Sequence, residues 1–210
     1  MENILIINAH KKWEGMSEGK LNERFQNEIT TYFKEKEFAI KTTKIDDGYD
    51  INEEIIKHEW ADLVITQTPV FWFNSPWIHK KYIEEIFTTA WSQQRLLIND
   101  GRQVDDPTKH YGTGGTSQGK KHMLSATWNA PEEAFNDTTQ FLLKGKSADD
   151  ALINVSNNYK FCGFEIIDGF YAYDVVKNPQ IEKDVVRLNE KLNALTKNEL
   201  NYSNIKKTSK

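Results

Sequence analysis

Apolar residues along this chain fall into two alternating kinds of segment, short strand-like segments and longer stretches with helical spacing. The short segments, of which the first is an uninterrupted apolar run, predict five strands, at residues 4–8, 39–45, 63–65, 121–127 and 164–173. The longer stretches predict helices, at residues 21–33, 51–60, 78–87, 147–161 and 178–195. Strands that alternate with helices in this way are typical of an α/β fold, a doubly wound parallel sheet with helices on both faces.

Local signals place two of the helix starts. Ser17 is a candidate N-cap for the first helix, because its hydroxyl can accept a hydrogen bond from an unpaired backbone N–H group. Ser75 and Pro76 predict another start, with a capping hydroxyl followed by proline at the first helical position.

One polar stretch interrupts the alternation. Residues 91–119 contain Asp100-Gly101, Asp106-Pro107 and Gly112-Thr113-Gly114-Gly115, which together predict an excursion with a hairpin. Glycine clusters of this kind belong more often to tight turns than to phosphate cradles. We expect a single domain over residues 1–197 with an insertion at about 91–119, and a polar C-terminal tail at residues 198–210 that frays.

Charge and composition narrow the class of partner. The chain has 27 Lys and Arg residues against 31 Asp and Glu residues, and this net charge of -4 offers no positive surface for nucleic acid or an anionic membrane. The amino terminus lacks the pattern of a secretory signal, and no segment is long enough to span a bilayer. The single cysteine, Cys162, lies beside Phe161 and is expected to be a buried thiol. We therefore expect a cytoplasmic protein that binds a small molecule.

The most informative functional signal is an aromatic segment after the third strand. Residues 66–77 place Phe71, Trp72, Phe73 and Trp77 where a parallel strand passes into a helix. Ligands of open α/β sheets bind at such carboxyl ends, so aromatic side chains there indicate a wall for a flat, conjugated molecule such as a flavin. The alternative is that these aromatics belong to the core or to a dimer interface.

Two further corners are compatible with a flavin. Residues 8–22 lead into the first helix, whose N–H groups could hold a diphosphate with Lys11, Lys12 or Lys20 nearby, although the loop could also be only a solvated connection. It carries neither the Rossmann nor the P-loop glycine motif. Residues 127–131, after the fourth strand, offer successive backbone N–H groups that could bind the electron-rich edge of a flavin ring.

Other kinds of chemistry find little support in the sequence. The five histidines are scattered without the spacing of metal ligands, and the chain has no G-x-S-x-G motif. Redox activity would therefore depend on a bound organic cofactor, with no metal site.

Several short blocks resemble those of one family and occur in the same order. They are N-I-L-I-I-N (3–8), P-V-F-W-F-N-S-P-W (69–77), K-K-Y-I (80–83), Y-G-T-G-G (111–115), Q-G-K-K (118–121) and T-W-N-A-P (127–131). Over about residues 1–190 the chain resembles the flavodoxin-like NAD(P)H:quinone oxidoreductases. This resemblance implies a flavodoxin-like doubly wound sandwich, with a central five-stranded parallel sheet in the order 2-1-3-4-5.

The resemblance also implies an activity and a site. It implies a homodimer that binds FAD and passes two electrons from NADPH or NADH to a quinone in a ping-pong cycle. The backbone of Trp128, Asn129 and Ala130 is the candidate for stabilising the reduced flavin ring. The family's cofactor contacts map to His10, Met16, Ser17, Gly19, Leu21 and Asn22, to Pro69, Val70, Phe71, Trp72 and Phe73, to Tyr111, and to Thr127, Trp128, Asn129 and Ala130.

Three alternatives stay open at this point. The chain could be an FMN-binding electron carrier of flavodoxin type, although the first loop does not match the Ser/Thr- and Gly-rich phosphate loop of such carriers. It could be a flavin reductase that acts on nitro or azo compounds, because an exposed ring would reduce these as well. It could also be a flavin-free regulatory protein that keeps the scaffold.

Overall fold

Five parallel strands form one sheet in the order β2-β1-β3-β4-β5. This order and direction confirm the predicted sheet. The structure is a computed structural model that describes the backbone of residues 1–208 and the side chains of residues 1–197. The strands are β1 (Asn3–Asn8), β2 (Ala39–Lys44), β3 (Leu63–Pro69), β4 (Lys121–Thr127) and β5 (Glu165–Ala172).

Helices cover both faces of the sheet. Helices α1 and α6 pack on one face, and α2, α3 and α5 pack on the other. The polar tail predicted at residues 198–210 lies outside the residues whose side chains are described. The helices are α1 (Lys20–Glu35), α2 (Ile51–Trp60), α3 (Trp77–Ser92), α4 (Ala148–Ala151), α5 (Ile153–Phe161) and α6 (Ile181–Thr208).

Alternate residues of the central strands fill two separate cores. In β1, Ile4 and Ile6 belong to the core beneath α1 and α6, whereas Leu5 and Ile7 belong to the core beneath α2, α3 and α5. Successive side chains of a strand point to opposite faces, so a strand segment that packs on a core at both faces is apolar at successive positions. This explains the unbroken apolar runs at residues 4–7 of β1 and 63–65 of β3.

The helix starts differ from the prediction in three places. Gly19 is the residue that precedes α1, and no side chain caps it, so Ser17 is not the N-cap. Pro76 precedes α3, which begins at Trp77, and the hydroxyl of Ser75 bonds to the ring of His79 rather than to the helix end. The helix predicted at residues 147–161 divides at Leu152 into α4 and α5.

The insertion has no regular strand in the structure. The predicted hairpin is reduced to isolated antiparallel bridges, one of them between Leu97 and Gly115. Gly115 packs so closely on the turn between α5 and β5 that a Cβ atom there would lie 2.1 Å from the carbonyl carbon of Cys162. The glycine cluster therefore fixes the insertion to the body of the domain, in agreement with its interpretation as a structural feature.

Candidate active site

A cavity of about 370 Å³ opens at the carboxyl ends of β1, β3 and β4. Four segments that are distant in sequence meet there: the loop before α1, the corner after β3, the corner after β4 and the loop after β5. The residues that line it are His10, Ser17, Glu18, Gly19, Lys20, Leu21, Asn22, Pro69, Val70, Phe71, Thr127, Asn129, Val175 and Val176.

Most of the residues that the sequence assigned to a cofactor lie in this cavity, but six do not. Met16 and Trp72 are almost fully exposed, Phe73 is half-exposed, and Trp128 is buried behind the corner after β4. Ala130 packs on the core beside Trp128, and Tyr111 lines a different cavity. Sequence reasoning named Lys20 only as a possible phosphate contact, and it missed Glu18, Val175 and Val176. The last two follow a fifth parallel strand whose carboxyl end lies at the same edge of the sheet, which was the signal that could have revealed them.

His10 is the buried centre of the first loop. Its ring Nε2 lies 3.0 Å from the hydroxyl of Ser17, and its ring meets Phe71 edge to face with the centroids 6.2 Å apart. Burial lowers the pKa of His10, and Asp46 opposes this effect only in part. At neutral pH the imidazole is therefore an uncharged hydrogen-bonding group that joins the first loop to the aromatic corner.

Gly19 allows this packing. Its φ of +84° lies in the left-handed region, and a Cβ atom there would lie 2.9 Å from Nδ1 of His10. The residue thus satisfies both a backbone and a steric requirement. The helix that follows begins at Lys20 without a side-chain cap, so its first N–H groups and its partial positive charge are available beside the cavity.

The three lysines of the first loop differ in their surroundings. The ammonium of Lys11 lies 2.6 Å from the carboxylate of Asp46, and that of Lys12 lies 3.1 Å from Glu18. Lys20 lines the cavity itself. Of the three predicted candidates for a phosphate contact, Lys20 is therefore the one that the structure brings to the site.

The aromatic corner is a strained tight turn. The backbone N–H of Phe71 donates to the carbonyl of Asn74, and the N–H of Asn74 donates to Phe71 in return. The two residues between them, Trp72 and Phe73, have φ angles of 51° and 62°. A turn with two positive φ angles normally carries Asn and Gly, and bulky residues in this region cost about 1–3 kcal/mol each. Backbone strain of this size clusters at functional sites, and this turn adjoins the cavity through Phe71.

The corner after β4 requires a correction. The backbone N–H of Trp128 donates to the carbonyl of Ala172 at 2.8 Å, so it is not available for a ligand as the sequence suggested. The N–H groups of Asn129 and Ala130 have no acceptor among the described residues. These two amides are therefore the donors that this corner can offer.

Tyr111 lies outside the cavity in a single chain. It packs on Phe161, with the ring centroids 5.2 Å apart, and lines a cavity of about 680 Å³ between α3, the insertion and α5. Within one copy of the chain Tyr111 therefore does not line the cavity at the start of α1, and its assignment to the flavin stays a prediction. Among the described residues, no cluster of His, Cys, Asp or Glu could hold a metal ion. No helix in the described part of the chain is both long and apolar enough to cross a bilayer.

Comparison with known families assigns the fold. Residues 2–195 match the family model described as "Flavodoxin-like fold". The chain belongs to this family. The match agrees with the strand order and with a cavity at the carboxyl edge of the sheet, and it confirms the resemblance noted in the sequence.

Individual members of the family show what the chain is similar to. It is 41% identical over 181 residues to the NADPH:quinone oxidoreductase MdaB of Haemophilus influenzae, covering 86% of this chain and 92% of the relative. A crystal structure of a putative quinone reductase from Klebsiella pneumoniae has a TM-score of 0.73 at 22% identity and covers 93% of this chain and 85% of its own. General stress protein 14 of Treponema denticola, in complex with FMN, has a TM-score of 0.65 at 18% identity, covering 93% and 99%. At these identities the two structures support the fold alone.

Proposed function

We propose that this protein is an FAD-dependent NAD(P)H:quinone oxidoreductase. One observation carries the proposal: a single cavity joins the uncapped start of α1, the unpaired amide of Asn129 and the strained aromatic corner at Phe71. A flavin dinucleotide needs an anion site, hydrogen-bond donors and an aromatic wall, and this cavity offers all three. The 41% identity to an NADPH:quinone oxidoreductase supports the choice of reaction.

The residues present fit such a cofactor. The N–H groups at the start of α1, with Lys20, would hold the diphosphate, and Gly19 would keep the backbone close to it. The amides of Asn129 and Ala130 would donate to the edge of the ring, where negative charge develops. Phe71 and its exposed neighbours Trp72 and Phe73 would form the wall.

The chain supplies position and charge stabilisation, and the chemistry comes from the cofactor. Bound FAD would accept two electrons from NADPH or NADH and pass them to a quinone. His10 stays neutral, so it adds no charge and holds the first loop against Phe71. Donor and acceptor would use the same open side of the cavity in turn, which is the basis of a ping-pong cycle.

The test is anaerobic mixing of the FAD-loaded protein with NADPH and with NADH. We expect the visible flavin absorbance to bleach with at least one donor and to return on addition of a quinone. Double-reciprocal plots of the initial rates at several quinone concentrations should be parallel. Absorbance that persists with both donors would overturn the proposal. Mass spectrometry of the released cofactor separates FAD from FMN, and tightly held FMN would favour the electron carrier.

A matched pair of glycine variants tests the cofactor site. Gly15 and Gly19 both have positive φ in the first loop, but a Cβ atom at Gly15 would meet nothing within 4 Å, whereas at Gly19 it would strike His10. Gly19→Ala should therefore weaken FAD binding about tenfold or more, and Gly15→Ala should share only the backbone strain. Equal FAD affinities for the two variants would contradict this placement of the diphosphate.

The proposal includes a cytoplasmic homodimer. Trp72, Phe73 and Trp77 expose large aromatic surfaces that a second copy would cover. A second copy could also place its own Tyr111 beside the flavin ring, because the Tyr111 of the same chain lies outside the cavity. The chain has a single cysteine, Cys162, which is free and buried, and the lack of an internal disulfide is compatible with a reducing compartment. Sedimentation equilibrium that gives a monomer mass at micromolar concentration would remove the dimer from the proposal.

A further inference from the structure

Three neighbouring strands place polar side chains at one level of the sheet. Asn8 of β1 is the register partner of Gln67 in β3, and Gln67 is the partner of Ser125 in β4. Two residues earlier, the same face of the three strands carries the apolar side chains of the α1 and α6 core. Two residues later, it carries side chains that line the cavity. The apolar layer is Ile6, Ile65 and Met123, and the cavity layer is His10, Pro69 and Thr127.

These polar side chains form one continuous chain of hydrogen bonds with two residues of α1. The hydroxyl of Ser125 donates to Oε1 of Gln67 at 2.6 Å, and Nε2 of Gln67 donates to Oδ1 of Asn22 at 3.1 Å. Nδ2 of Asn22 donates to Oδ1 of Asn8, and Nδ2 of Asn8 donates to Gln26, both at 2.7 Å. We call these five residues the amide floor.

Four of the five residues of the amide floor are buried, the fifth, Gln26, is half-buried, and hydrogen bonds join all five. Asn8, Asn22, Gln67 and Ser125 are each at most 3% exposed. Buried polar side chains need partners, and a fully paired network fixes its members in one arrangement. Apolar residues could have continued the core at this level, so stability alone does not account for a polar layer there.

The two ends of the amide floor lie under different parts of the cavity. Asn22 lines the cavity in the first turn of α1, and Asn8 accepts the backbone N–H of His10 at 3.0 Å. At the other end, Ser125 lies two residues before Thr127 and four before Asn129, which line the cavity at the corner after β4. Gln67 is the link between these two ends.

We propose that the amide floor is a positioning device for the cofactor, with Gln67 as its central residue. It fixes the diphosphate side of the cavity, at Asn22 and His10, relative to the ring side, at Thr127 and Asn129. This assignment deepens the proposed function and rests on it. Gln67 acts through its neighbours and is not itself among the residues that line the cavity.

The test compares Gln67→Leu with Thr66→Val. Both positions are fully buried neighbours in β3, but Thr66 faces the opposite side of the sheet. We expect both variants to lower the melting temperature and only Gln67→Leu to raise the FAD dissociation constant, about tenfold. Two results would overturn the role of the amide floor. One is that Gln67→Leu binds FAD as tightly as the unchanged protein does, and the other is that both variants bind FAD equally weakly.

Two further measurements keep the result interpretable. Hydrogen exchange of the His10 N–H, followed without cofactor, should be faster in Gln67→Leu than in Thr66→Val, because only the first change loosens Asn8. Ser125→Ala is a milder change in the amide floor and should show the same pattern more weakly if Gln67→Leu does not fold. If the unchanged protein binds no FAD, the proposed function fails as well. If the unchanged protein binds FAD and Gln67→Leu binds FAD with the same affinity, only the proposed role of the amide floor is wrong.

Discussion

Thr66 and Gln67 are neighbours in β3, and they lead to two very different polar clusters. Gln67 faces α1 and belongs to the amide floor, above which the cavity opens. Thr66 faces the other side of the sheet, where its hydroxyl lies 3.1 Å from the ring of His122 and 3.3 Å from the hydroxyl of Tyr159. We call this second cluster, which consists of Thr66, Tyr159, His58, His79 and His122, the histidine cluster. Helices α2, α3 and α5 cover it.

The two clusters differ in how they can respond to protons. The histidine cluster contains His58, His79 and His122, each buried and each with one ring nitrogen that has no partner among the described residues. Burial lowers the pKa of all three, to about 3 for His79. The amide floor has only amide and hydroxyl groups, which do not titrate near neutral pH. The amide floor beneath the cavity thus keeps its charge state as the pH falls, whereas the histidine cluster, and His10 in the lining of the cavity, contain imidazoles whose pKa is lowered by burial.

Removing the centre of the histidine cluster should have the largest effect on stability. Tyr159 is fully buried and stacks on His122 with the ring centroids 3.6 Å apart. Tyr159→Ala should lower the free energy of unfolding by about 3–5 kcal/mol, because it leaves a large cavity. Urea denaturation would measure this loss. Tyr159→Phe keeps the ring and should lose less than about 1.5 kcal/mol, with FAD affinity unchanged. A marked loss of FAD affinity in Tyr159→Phe would show that the two faces are not separate.

Acid should destabilise the protein through the histidine cluster. The folded state keeps His79 neutral down to a pKa of about 3, while the unfolded chain takes up a proton near 6.5. Stability should therefore fall as pH drops from 6.5 towards 3, by about 2 kcal/mol at pH 5 for His79 alone. Unfolding free energies measured at several pH values would show this slope. His79→Leu should reduce the slope by about one proton, because one fewer proton is then taken up on unfolding. An unchanged slope in His79→Leu would contradict the assignment.

The sequence predicted much of the fold because the strongest signals are local. The unbroken apolar runs of β1 and β3 and the helical spacing of α1 do not depend on distant residues. The failures at Ser17 and Ser75 have a different cause. Each hydroxyl can serve either a helix end or a nearby histidine. Only the folded chain shows that His10 is within reach of Ser17, whereas Ser75 and His79 have the i,i+4 spacing of neighbours on a helix.

The site was predictable by segment and less so by residue. The carboxyl ends of parallel strands lie at the same edge of a sheet, so the sequence could indicate the three corners of the site, after β1, β3 and β4. The N–H of Trp128 could not be excluded from the sequence, because its acceptor, Ala172, is 44 positions later in the chain. Gln67 and Ser125 do carry a signal in the sequence, because each is a polar residue near the carboxyl end of a strand that is buried on both faces.

A smaller effect is expected where the open side of the cavity stores strain. Trp72 is 94% exposed in one copy of the chain and has a φ of 51°, so within that copy its side chain contributes little packing while its backbone is strained. At a protein concentration low enough to keep the chain monomeric, Trp72→Gly should raise the free energy of unfolding by roughly 0.5–1 kcal/mol, since strain relief exceeds the added flexibility of the unfolded chain. Quinone reduction should become slower if the indole is part of the ring wall. Thermal denaturation and initial rates would measure both effects.

Val104→Gly is the matched control for that variant. Val104 is also fully exposed in a loop, but its φ does not lie in the left-handed region. Glycine there should give no gain in stability, because there is no strain to relieve. A gain of the same size in both variants would show that the turn at residues 71–74 is not strained.

The smallest effect should come from the charge pair that ties the first loop to the sheet. Lys11 contacts Asp46 at 2.6 Å, Asp46 also accepts the backbone N–H of Lys12 at 3.1 Å, and the bond from Lys11 contributes to the lowered pKa of Asp46. Because the pair is partly exposed, Lys11→Met should cost less than about 1 kcal/mol, and high salt should reduce the difference. Lys80→Met, which breaks an exposed pair with Glu84 on α3, is the control. Packing stabilises the face of the sheet at the histidine cluster, whereas the weak Lys11–Asp46 pair would stabilise the first loop. A bound diphosphate could add to that stabilisation. Bound FAD should therefore reduce the difference in unfolding free energy between Lys11→Met and the unchanged protein, and it should leave the corresponding difference for Lys80→Met unchanged. The reverse result would show that the first loop is not part of the binding site.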